Sequence, residues 1–366
     1  MNLQTVLSWS MYLGILVIGT LSMWYAQKLY KDGSRNYWWL LAAAFLVLTL
    51  PVALRSASVG FDTAEYNEYY YTLIESGKFS FRDNLEPIYQ LFMYIAVQVG
   101  HPHVVFLLAA PITFFFMLAG IWYLRDQINL GLVTFMYLCF FYLQTFNVVR
   151  QCFAIALIFF ALRFVCERKF LLYLLFVILA YQMHSSAIIA LFLYPLAAEK
   201  LSPKMRKLLN VLAVSAVLFV LSPLLGPALR WVVSIDVFAA YRNHIAAEGS
   251  VGSSWIIRAV FIVGAILLCE TFRTEKNVRS VAMFATSLSL PFLVVSYISA
   301  PVGRVGAFFS IFNIITFASF AGRKSEKPIL PKLENAIMVA FSLLTYLMSL
   351  YSNGLLLIPY STFFAA

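Results

Sequence analysis

Residues 128–166 read INLGLVTFMYLCFFYLQTFNVVRQCFAIALIFFALRFVC, with Arg150 near the middle. About twenty almost uncharged residues precede this arginine and about a dozen follow it. Each apolar run approaches the ~20 residues a helix needs to cross a bilayer. A guanidinium in that setting is costly unless it faces a cavity or binds an anion. The same arrangement recurs at Arg55, Arg258 and Arg304, and no Asp or Glu stands close enough in sequence to neutralise any of them. The expectation is that the missing negative charge sits on the substrate.

Working outward from this stretch, the whole chain has the same character. It is 62% hydrophobic and only 11% charged over 366 residues, against about 25% charged in soluble domains. Apolar spans fall at about 5–26, 37–54, 104–124, 128–147, 151–166, 170–182, 185–198, 208–225, 254–270, 280–300, 305–321 and 333–352. The fold class this implies is all-α, a polytopic integral membrane protein of roughly 11–13 helical segments, including short re-entrant or broken helices. A single transmembrane domain over 1–366 is expected, with outer loops at about 55–86 and 226–253.

Charge distribution sets the topology. The net +10 comes from clusters such as Lys28/Lys31/Arg35, Arg168/Lys169 and Lys200/Lys204/Arg206/Lys207, each in a short connection between spans. Such an excess marks cytoplasmic loops. No basic domain projects into water, so the charge does not point to nucleic acid. The first span is followed, not preceded, by basic residues, and reads as a retained helix with its N-terminus outside. Residues 55–86 then lie outside, where six acidic residues face three basic ones. The stretch 87–100 is too short for a straight span and reads as a re-entrant or interfacial helix. The short pair 170–182 and 185–198 reads as a hairpin turning near His184. On this topology Arg55, Arg150, His184, Arg258 and Arg304 converge toward the outer leaflet.

Individual positions carry the candidate chemistry. Gly60 and Asp62 predict a tight turn after Arg55, followed by Tyr66, Tyr69 and Tyr70 at helical spacing. The tyrosines suit headgroup level, or with Asp62 and Glu65 a surface that grips sugar. Asp62 could equally orient or deprotonate a hydroxyl, or only shape the turn. Glu86 directly precedes Pro87, which suits capping of a helix start; it is also a candidate catalytic carboxylate. Arg150-Gln151 opens a helix, where a cation opposes the dipole and a bound phosphate would explain it. His184, beside Ser185 and Ser186, could hydrogen-bond a phosphate or move a proton. Arg304 stands between Gly303 and Gly306, small neighbours that let a ligand or another helix approach; Arg258 could simply snorkel. The four cysteines, Cys139, Cys152, Cys166 and Cys269, lack CxxC spacing, and the histidines share no metal-ligand spacing.

Read in order, the elements Arg55…Gly60-Phe61-Asp62…Tyr66, Glu86-Pro87…Tyr89, Asn147-Val148-Val149-Arg150-Gln151…Ala154, Glu167-Arg168-Lys169, His184-Ser185-Ser186-Ala187, Arg304 and Pro359-Tyr360 resemble the EpsG/Wzy group of bacterial polysaccharide polymerases. The outer loop departs from the group's pattern, with Ser56-Ala57-Ser58 where a glycine usually follows the arginine. The resemblance implies a GT-C-like, multi-pass glycosyltransferase of the bacterial cytoplasmic (inner) membrane. Its substrate would be undecaprenyl-diphosphate-linked oligosaccharide, polymerised at the outer face into O-antigen, capsule or exopolysaccharide. It implies partners that flip the precursor or regulate chain length, no cofactor and no metal.

On that reading Arg150 and Arg304 clamp the diphosphate, supported by Arg55, Arg258, Gln151 and Tyr66. His184, Asp62 and Glu86 are the candidate bases. The alternatives are a lipid-linked oligosaccharide flippase or exporter, an O-antigen-type ligase or a membrane O-acyltransferase. A coupled transporter usually carries carboxylates within its spans, and these spans contain essentially none.

Overall fold

Helix ends explain much of the architecture. In the computed structural model the described residues are 2–76, 85–194, 259–264, 276–295, 300–321 and 330–365. Arg258, Asp83, Cys269, the loop 226–253, the span 208–225 and the basic cluster Lys200–Lys207 lie outside them. Helix α1 (Leu3–Lys31) starts where the Asn2 side chain accepts from Thr5 N at 2.8 Å and ends with Lys28 and Lys31 in its last turn. Those cations suit the helix C-terminus. Next come α2 (Tyr37–Ala53), α3 (Thr63–Glu75), α4 (Pro87–Val99) and α5 (Val104–Tyr123). Asn129 caps α6 (Leu130–Phe140) through Leu132 N. Then follow α7 (Val149–Phe160), α8 (Leu162–Cys166) and α9 (Phe170–Tyr181). The later helices are α10 (Lys276–Val295), α11 (Ala300–Val305), α12 (Ala307–Ser310), α13 (Asn313–Ala321) and α14 (Leu330–Ser352). Among the described residues there is no strand, and the class is all-α and polytopic as expected.

Several expected spans are broken. The run 128–147 is α6 followed by a 3-10 turn at Tyr142–Phe146, and 151–166 divides at Ala161 into α7 and α8. The run 305–321 divides at Gly306 and again at Ile311–Phe312. Residues 87–99 form the short helix expected, with Pro87 in its first turn and Gly100 at φ +81° closing it. After α9 the chain turns at extended His184 and returns as a 3-10 helix over Ser185–Phe192, held to α9 by the Tyr173 hydroxyl on the Ala190 carbonyl.

The core joins α1 to α2 and α6, and α5 to α2 and α7. Gly120 lets α5 and α7 approach, since a Cβ there would sit 2.7 Å from the Phe159 ring. At one end, Gln27 donates to the Arg125 and Ile128 carbonyls and accepts from Leu130 N. Lys28, Lys31 and the exposed Trp38 and Trp39 gather there, the pattern of a membrane–water boundary.

The opposite end is stapled by the C-terminal segment. Ser56 N donates to the Ser361 carbonyl at 2.8 Å, Gly60 N to Leu356 at 2.8 Å and Phe363 N to Leu54 at 3.0 Å. Ser56 Oγ pairs with Ser361 Oγ at 2.6 Å and with Ser58 Oγ at 2.7 Å. The serines that replace the usual glycine thus carry part of this staple. The Tyr360 hydroxyl donates to the Pro51 carbonyl, and Tyr12 donates to that of Leu357.

Candidate functional site

The turn between α2 and α3 places two of the expected residues. Gly60 has φ +85°, and a Cβ there would lie 2.3 Å from the Phe146 carbonyl oxygen, so this position takes only glycine. The contact presses the turn onto Asn147, which accepts from Asp62 N at 3.4 Å and donates to the Leu355 carbonyl at 3.3 Å. Asp62 occupies the N-cap position of α3, yet its side chain makes no capping hydrogen bond. The carboxylate is therefore not consumed in shaping the turn.

Arg150 corrects one expectation. Its Nη1 lies 2.9 Å from Glu86 Oε2, a partner 64 residues away in sequence. Its charge is therefore met by protein, which sequence proximity could not reveal. The guanidinium also lies 4.8 Å from the centre of the Tyr89 ring and is close enough to Tyr66 to interact with it. Glu86 corrects a second. It stands at the N-cap of α4 but makes no capping bond to that helix. Its Oε1 instead accepts from Ser185 N at 3.1 Å, closing the start of the 3-10 helix that follows His184.

His184 Nδ1 lies 3.7 Å from the same Glu86 oxygen, too long for a hydrogen bond. Burial lowers the imidazole to about 4, against the opposing pull of Glu86 and with Arg150 and Arg304 adding to the lowering. The ring is neutral at pH 7 and can accept a proton. For Asp62, burial raises the carboxyl above its ordinary value; Arg304 is the strongest charge opposing that, Glu65 adds to it and Arg150 opposes it.

Arg304, on α11, is exposed, and among the described residues no carboxylate lies within 4.0 Å of it. Its backbone carbonyl accepts from the buried Gln151 Nε2, which joins α11 to the start of α7. Gly306 serves helix approach: a Cβ there would meet Phe292 Cβ at 2.3 Å.

Arg55 has a different setting. It is 0% exposed, with Nη1 on the Val52 carbonyl at 2.6 Å, Nε on Thr63 Oγ1 at 3.2 Å and the guanidinium 3.9 Å from the Phe106 ring centre. It is enclosed by the chain, and its Nη2 has no hydrogen-bond partner among the described residues.

The structure thus brings Asp62, Tyr66, Glu86, Arg150, Gln151, His184 and Arg304 to one end of the bundle, with Arg55 beneath them; Arg258 lies outside the described residues. Sequence reasoning gave no part to Asn147 as the brace of Asp62, to Tyr89 under Arg150 or to the C-terminal staple. Asn147 and Tyr89 do fall within the ordered elements quoted above. Among the described residues no group of three or more His, Cys, Asp or Glu side chains could hold a metal ion.

A helical bundle of apolar spans with a mixed-charge, aromatic-backed cluster at one end is a multi-pass membrane protein with a polar site at the bilayer boundary. More narrowly, the chain belongs to the EpsG family, whose model matches residues 38–362. At family level this makes it a polysaccharide-polymerase-type glycosyltransferase of the membrane. Searches of curated proteins and of solved structures gave no match.

Proposed function

We propose that this protein joins undecaprenyl-diphosphate-linked oligosaccharide repeat units into a surface polysaccharide at the outer face of the bacterial cytoplasmic membrane. The observation that carries this reading is an exposed cation, Arg304, with no carboxylate within 4.0 Å among the described residues, at the end of the bundle that also holds Asp62, Arg150 and His184. The cluster lies at the end of the bundle away from Lys28 and Lys31, which suits the outer face.

In this reaction the bond between the donor's anomeric carbon and the diphosphate oxygen breaks. The acceptor's hydroxyl oxygen bonds to that carbon, and its proton passes to Asp62. Arg304, with Arg150, holds the charge that develops on the departing diphosphate, the role a metal plays elsewhere. Glu86 is poorly suited as the base because Arg150 and Ser185 N already occupy its oxygens. It fixes Arg150 and the His184 turn instead. His184, neutral and beside the cluster, is the second candidate for the proton.

The test is the length distribution of lipid-linked glycan in cells with and without the gene. Loss of the gene should leave single repeat units on the carrier at the outer face. Single units held at the cytoplasmic face would favour a flippase, and full-length polymer left on its carrier a ligase.

A further inference from the structure

Beside Arg304 the helices form a half-open cavity of about 410 Å³, within the ~300–1,000 Å³ of small-molecule sites. Phenylalanines 140, 141, 292, 317 and 341 form much of its wall, and it reaches along α7 from Gln151 to Ile155, about 6 Å. Its polar groups are unevenly placed. Ser289 and Asn313 bond one another at 3.4 Å, whereas Gln151 and Arg304 meet at the edge facing the cluster of Asp62 and His184.

In a bilayer an apolar guest gains little by leaving lipid for an apolar pocket, since lipid tails are just as apolar. Selection must come from the polar edge. Arg304 lines the cavity and Arg150, which is paired with Glu86, does not, so the charge on offer here is that of Arg304. The guest that fits is an anion with an apolar chain attached. We infer that this cavity holds the first isoprene units of the lipid carrier, with Arg304 on the phosphate to which the chain is esterified. The inference rests on the function proposed above, which supplies the isoprenoid. Gly306 makes the arrangement possible by letting Phe292 of α10 close against α11 and α12, which forms the wall next to Arg304.

The probe is a diazirine-bearing geranylgeranyl diphosphate, photolysed with the purified full chain in phosphatidylcholine nanodiscs and mapped by mass spectrometry. Labels are expected on peptides containing Phe140–Phe141 or Phe292–Leu293. Excess plain geranylgeranyl diphosphate should displace them, and dioleoyl phosphatidic acid should not. Ile155→Trp, which fills the cavity, should cut labelling about tenfold or more; Ala307→Leu, a smaller change at the wall, guards against misfolding of the first variant. Labels confined to other peptides, or displacement by phosphatidic acid as effective as by the isoprenoid, would overturn the inference. If the cavity is labelled but cells lacking the gene still make normal polymer, the site stands and the polymerase reading fails. If polymer is lost and the labels fall elsewhere, the polymerase reading stands and the cavity inference fails.

Discussion

Arg55 and Arg304 look alike in sequence, each a lone cation within apolar chain, yet one is enclosed and the other exposed. Arg55 is fully enclosed, with Nη1 on the Val52 carbonyl, Nε on Thr63 and its flat face on Phe106, while Nη2 has no hydrogen-bond partner among the described residues. Arg304 is exposed beside a cavity and has no carboxylate within reach among the described residues. A cation enclosed by the chain and bonded through part of its guanidinium supports the fold. A cation left open in a low-dielectric setting is available to a ligand. The lesson is that apolar context marks an arginine as significant without saying which of the two roles it has.

Alanine at each position is the most direct way to break this comparison. Arg304→Ala should lower polymer formation by about 10²–10³-fold while the thermal midpoint in nanodiscs stays near wild type; normal-length polymer would end the role given to Arg304. Arg55→Ala should act the other way round. It strands buried acceptors and leaves a void, costing about 2–4 kcal/mol of stability, read as a lowered midpoint and less folded protein. Retained stability with lost polymer would place Arg55 in the site after all.

Glu86→Gln sharpens the exposed side. The amide oxygen can still accept from Ser185 N, but the charge that holds Arg150 is gone. Polymer formation should fall about tenfold, a loss of about 1.4 kcal/mol of transition-state stabilisation, with the protein still folded. An effect as deep as that of Arg304→Ala would mean that Glu86 takes the proton itself.

The smallest expected effect is Glu65→Gln, on the exposed first turn of α3. Glu65 helps hold the Asp62 carboxyl above its ordinary value. Removing that charge favours the carboxylate, so the pH at which activity fades on acidification should move down. A pH profile that does not move would transfer the proton to His184.

Much of the fold was legible because its signals are local. Apolar runs marked the helices, Gly60 the turn, Pro87 the start of α4 and His184 the reversal of the hairpin. The breaks at Ala161 and at Ile311–Phe312 carry no proline or glycine and left no such mark. An approach of Arg55, Arg150, His184, Arg258 and Arg304 to one leaflet was expected from alternating span directions and loop charge; Arg258 lies outside the described residues. The ion pair between Arg150 and Glu86 was not expected, because its partners are 64 residues apart and nothing in either segment encodes the other. The cavity was equally hidden, since its phenylalanines are common residues in any apolar span and only packing decides which of them leave a gap.

The staple between Ser56 and Ser361 joins positions 305 residues apart. At a synthesis rate of ~5–20 residues per second, the turn bearing Asp62 waits about 15–60 s for its partner segment to be made. Until then the Ser56 and Gly60 amides lack the acceptors that hold them, and the proposed base has only part of its support. The turn that carries Asp62 is thus completed by residues made long after it.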